Sequence, residues 1–84
     1  MTLSFPNESR HFDRQQNAIC FVGHDGMFEV RFFVDVGALA SPGASVDQYL
    51  CAFETARAAI YRAASKAYAR SRESGYRLMA SDIK

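Results

Sequence analysis

The chain has 84 residues, 49% of them hydrophobic, with eleven Phe and Tyr and a net charge of +1. That is one domain with enough apolar mass for a single core, which excludes a disordered chain and a multidomain enzyme. The near-neutral total hides a division, because residues 1–56 carry seven acids against three bases and residues 57–77 carry six bases against one acid.

The first residues, Met-Thr-Leu-Ser-Phe-Pro, lack the basic-then-apolar build of a signal peptide, and no apolar run approaches the roughly 18 residues a membrane helix needs. A soluble, cytoplasmic chain is expected. Residues 3–5 form an apolar stub ended by Pro6, which cannot donate to a ladder, so any strand here must lie at an edge. A polar stretch then runs to Asn17.

Residues 18–23 and 27–36 are β-rich runs flanking His24-Asp25-Gly26. An Asp-Gly pair between such runs predicts a hairpin, since both residue types tolerate positive φ. With Asp25-Gly26 as a two-residue loop, His24 faces Met27, Phe21 faces Val30 and Ile19 faces Phe32. One face is then apolar: Ile19, Phe21, Gly23, Phe28, Val30 and Phe32. The other is mixed: Cys20, Val22, His24, Met27, Glu29, Arg31 and Phe33.

Residues 37–45 are a breaker-rich connection. Ser45-Val46-Asp47-Gln48 reads as a capping box opening a helix over about 46–73, a span with eight alanines and neither Gly nor Pro. Gly75 suits the C′ position. The stripe Val46, Leu50, Phe53, Ile60, Ala64, Ala67 is the expected core face. Arg57 falls into that seam, where it either packs its aliphatic stem or pairs with Glu54. Residues 76–80 complete the chain as a last strand, and Ser81 to Lys84 are expected to fray. The architecture is therefore α+β and two-layered. A small antiparallel sheet, hairpin 18–36 plus strand 76–80, is covered on one face by one long helix.

Phe5-Pro6-Asn7, Asp13, Cys20-Phe21, Gly26-Met27, and Leu50, Phe53 and Arg57 in a long helix together resemble a proteobacterial family. It is the domain-of-unknown-function family numbered fourteen eighty-eight, and the resemblance spans about residues 4–80. It implies a compact α+β chain without an assigned activity, and no catalytic residue can be carried over from it.

Arg62, Lys66 and Arg70 recur every four residues and so share one row of the helix, with Arg72 and Arg77 nearby and Tyr61 and Tyr68 able to flank it. Cations interleaved with aromatics can contact phosphate and stack bases, which makes nucleic acid one candidate partner. The plainer reading is a solvated face whose cations complement the helix dipole. A partner protein could use the same row. The mixed hairpin face, if left uncovered, offers a surface for self-association as a homodimer. Alternatively the N-terminal segment, with Leu3, Phe5 and Phe12, folds across it.

No metal or cofactor is expected. Cys20 and His24 are about 13 Å apart along a strand, too far to share an ion, and Cys20 and Cys51 read as buried reduced thiols. No phosphate loop, metalloprotease helix or serine elbow is present, so no enzyme is expected. The sequence points to a small non-catalytic interaction or regulatory protein. A nucleic-acid-binding accessory protein is the second reading.

Overall fold

The computed structural model describes residues 3–6, 8–40, 43–71, 73 and 75–83. Four strands form one sheet in sequence order: β1 (Arg10–Asp13), β2 (Ala18–Asp25), β3 (Phe28–Asp35) and β4 (Gly75–Leu78). The helix α1 (Val46–Arg70) links β3 to β4, and a single helical turn, α2 (Ala80–Ile83), follows. The α+β reading therefore holds: a mostly antiparallel sheet with one long helix on one face. β4 runs parallel to β3. That follows from the helix between them, which carries the chain back to the end of the sheet where β3 began.

The hairpin forms with the expected faces, but its register slides by two residues. Phe21 pairs with Phe32, Ile19 with Val34 and Asp25 with Phe28, so Gly26-Met27 is the loop. Gly26 takes φ +62° and Met27 does not take a positive φ, the sign pattern of a II′ turn with glycine at its first central position. A slide of two preserves which side chains face inward. It also stacks Phe21 on Phe32 at 5.2 Å and leaves the Asp25 carboxylate to accept from Tyr68 Oη at 2.5 Å.

β1 arises inside the stretch that reads as polar. It pairs antiparallel with β2 through a turn over Arg14–Asn17. The Asp13 carboxylate accepts the backbone N–H of Gln15 and Gln16, and Asn17 takes φ 51°. Such local side-chain bonds are what Asp and Asn supply in turns.

The capping box at Ser45 is present in both directions: Ser45 Oγ accepts from Gln48 N–H and Gln48 Oε1 accepts from Ser45 N–H. The helix runs unbroken for 25 residues, about 37 Å at 1.5 Å per residue. It ends at Arg70, earlier than residue 73, and Gly75 begins β4 rather than closing the helix. Ser71 leaves in an extended conformation, and its carbonyl accepts a short hydrogen bond from Tyr76 Oη, which itself accepts from Glu73 N–H at 2.6 Å. A tyrosine on the next strand thus ends the helix in place of glycine.

The core lies between sheet and helix: Ile19, Phe21, Val30, Phe32, Val34 and Leu78 against Tyr49, Phe53, Ile60, Ala63 and Ala64. The buried stripe begins at Tyr49, whereas Val46 is 39% exposed. Cys20 is buried and Cys51 exposed, both unpaired, so only one thiol matches the expectation. Residues 81–83 are ordered in α2, where Asp82 Oδ2 accepts the Met79 N–H at 2.8 Å; Lys84 lies outside the described residues.

Candidate functional site

Gly23 decides where the N-terminal segment goes. It lies on the helix-facing side of β2, and a Cβ there would stand 2.9 Å from the Phe5 ring and 3.0 Å from Leu3. The missing side chain admits the segment, which Ser4 fixes to the sheet edge by exchanging two 2.8 Å backbone hydrogen bonds with His24. The segment therefore packs on the helix side, beside the core, and not across the mixed face. Phe5 lies flat on Tyr61, with centroids 4.0 Å apart and planes 7° from parallel.

Arg57 holds Tyr61 by its hydroxyl. Its guanidinium grips Glu54 through two nitrogens at 2.6 and 3.0 Å and donates to the Glu8 carbonyl at 3.1 Å. It also makes a short hydrogen bond to Tyr61 Oη and sits 5.1 Å and 5.5 Å from the Phe53 and Tyr61 centroids. Arg57 thus takes the paired alternative. Its hydrogen bond holds the Glu54 carboxyl below the usual range, and the carboxylate in turn raises Arg57. Arg10 Nε lies 2.6 Å from the same carboxylate and helps hold it below the usual range.

The result is a shallow, open groove of about 430 Å³ between the segment and α1, lined by Leu3, Phe5, Tyr61, Arg62, Ser65 and Lys66. Its floor is apolar and two cations rim it. Arg62, Lys66 and Arg70 do form one exposed row, and none of them makes a hydrogen bond or ion pair with the described residues. Asp82 of α2 flanks the other side of the row, lining recesses with Lys66 and Arg70. Arg77 is elsewhere. It pairs with Asp35 at 2.6 Å and with the Gln16 carbonyl on the sheet's far face. Arg72 lies outside the described residues.

That far face stays open. Its shallow depression is lined by His11, Asp13, Cys20, Val22, Glu29, Arg31 and Phe33, so charge dominates its margin. Burial pushes the Cys20 thiol up, with Arg31 opposing. Among the described residues, no group of three or more His, Cys, Asp or Glu side chains could hold a metal ion, and no helix is long and apolar enough to cross a membrane.

The hairpin tip completes the surface. Met27 is 99% and Phe28 76% exposed, between Asp25 and Glu29. Alternation assigns Phe28 to the core face, but α1 crosses the sheet without covering that corner. No sequence signal marks this. The groove had one, since a glycine inside an apolar strand face announces a close approach.

A family model for proteins of unknown function, DUF1488, matches residues 3–79, which takes in the N-terminal segment, the whole sheet and α1. The chain belongs to the DUF1488 family. No curated protein and no solved structure matches it. Membership extends over every residue of the groove and the tip, so both surfaces lie within the unit the family shares.

Proposed function

We propose that this chain is a small non-catalytic interaction protein that pairs with a second copy of itself. The observation that carries the reading is the hairpin tip, where Met27 stands fully and Phe28 about three-quarters in water. Apolar groups gathered at one projecting corner of a small domain are characteristic of contact surfaces. The opposed charges of residues 1–56 and 57–77 supply attraction between copies. Sedimentation velocity from micromolar to millimolar protein tests it: a concentration-dependent shift to twice the monomer mass is expected, and a single monomer boundary throughout overturns it.

Nucleic acid remains the second reading, favoured by the unpaired row Arg62, Lys66 and Arg70. It is weakened by the two tyrosines that base stacking would need. Tyr61 is stacked on Phe5 and hydrogen-bonded to Arg57, and Tyr68 is tied to Asp25. A labelled single-stranded oligonucleotide at low salt separates the readings. Binding that collapses with added salt and with Lys66→Glu plus Arg70→Glu supports the second, and no binding at low salt eliminates it.

A further inference from the structure

We infer that the hairpin tip of one copy seats in the groove between the N-terminal segment and α1 of a second copy, an inference that rests on the pairing reading above. The two surfaces are complementary in both respects that matter. The tip offers Met27 and Phe28, 99% and 76% exposed, next to the carboxylate of Glu29. The groove offers an apolar floor of Leu3, Phe5 and Tyr61 beneath Arg62 and Lys66, two cations unpaired among the described residues. Apolar side chains would enter the floor while the carboxylate meets the rim.

Their placement closes the assembly. Ser4, between the groove residues Leu3 and Phe5, is bonded to His24, which leads directly into the tip. Tip and groove therefore adjoin at one end of the molecule. A two-fold axis at that end lets each copy's tip enter the other's groove at once, giving a closed dimer rather than a chain of copies. Each inserted aromatic buries roughly 150–250 Å². With one aromatic on each tip and the groove surface it covers counted, the total is roughly 600–1,000 Å², the range of weak and transient interfaces. A weak dimer whose dissociation constant rises with salt is expected, because the rim contact is between exposed charges.

Three variants test it by sedimentation velocity, each first checked for a native circular dichroism spectrum. Met27→Ser with Phe28→Ser removes the tip's apolar groups, Arg62→Glu with Lys66→Glu inverts the rim, and Glu29→Lys inverts the tip. Each is expected to raise the dissociation constant at least tenfold. Mixing the rim-inverted and tip-inverted chains is expected to restore dimer, because in the mixed pair both contacts join opposite charges. A wild-type dimer that all three variants leave intact overturns the tip-in-groove contact while self-association stands. A wild-type chain that stays monomeric to millimolar concentration overturns both, and leaves the groove to an acidic segment of another protein.

Discussion

Arg57 is the residue on which most of the N-terminal packing converges. It joins Glu54 on its own helix, the Glu8 carbonyl in the segment before β1, and the Tyr61 hydroxyl under the groove. Its side chain is 17% exposed but the Glu54 carboxylate is 43% exposed, so only the bond to Tyr61 lies partly out of water. Arg57→Ala leaves the Tyr61 hydroxyl unpaired and frees Glu8, a loss of about 1–3 kcal/mol. A thermal melt should fall by several degrees. Glu54 adds a pH dependence whose sign is fixed. A carboxylate held below its usual range stabilises the fold at neutral pH, and that stabilisation fades as pH falls below 4.5 toward the depressed value. Glu54→Gln should therefore lower stability at pH 7 and flatten the acid limb of the stability profile, by little, because the pair is partly solvated. The two thiols differ as clearly. Cys51 is exposed and Cys20 is buried, with burial pushing its thiol up. A thiol-reactive dye at neutral pH should label one site within minutes, and Cys51→Ser should abolish that fast phase. Equal labelling rates would contradict the burial of Cys20.

Among the elements, the N-terminal segment depends most on a single position. Gly23→Val would drive a branched side chain into Phe5 and Leu3, which already crowd the space of a Cβ. The flexible ends of those side chains can yield, so the sheet should persist while the segment leaves, with a loss of about 1–3 kcal/mol. Hydrogen exchange checks this. Amides of Ser4 and His24 should lose protection, while those of the Phe21–Phe32 pairing keep it. The same glycine shows what the sequence reveals and what it hides. Alternation in residues 18–36 shows which side chains face the helix, and Ser45 with Gln48 shows where the helix starts. Both are local patterns written in adjacent residues. The register slid by two because alternation is blind to any even shift, so the choice between Asp25-Gly26 and Gly26-Met27 rested with tertiary contacts such as Phe21 on Phe32 and Tyr68 on Asp25. β1 was hidden because an edge strand whose inward face holds Phe12 beside Arg10 has no apolar rhythm. For the site, four-residue spacing exposed the row Arg62, Lys66 and Arg70. The groove beside it depends on where Leu3 and Phe5 settle, sixty residues away in sequence, and Arg77 was separated from the row by strand alternation that places it on the far face.

At the scale of the whole molecule, folding brings part of the two charge groups together and leaves part apart. Arg57 pairs with Glu54 and Arg77 with Asp35, while Arg62, Lys66 and Arg70 stay exposed on α1 and Glu29 stands exposed at the hairpin end. The fold is closed by its last strand. β4 lies on the open edge of β3, where Tyr76 stacks on Phe32 at 5.2 Å and Leu78 is fully enclosed. α2, by contrast, contributes no buried residue. A domain of this size has about 4–13 kcal/mol of stability in total. Removing Leu78 and Tyr76 forfeits about 1.5–3 kcal/mol of burial for each. It also uncovers Phe32 and bares the backbone of β3, an unpaired edge that invites aggregation. A chain ending at residue 74 should therefore melt without a cooperative transition and bind a hydrophobic dye, whereas a chain ending at residue 79 should keep a sharp melt within about 1 kcal/mol of the full length. The contrast is the informative part, since both truncations remove the same α2. A cooperative melt for the shorter chain would mean that the three antiparallel strands and α1 hold the core unaided, and that β4 serves only to cap the edge of β3.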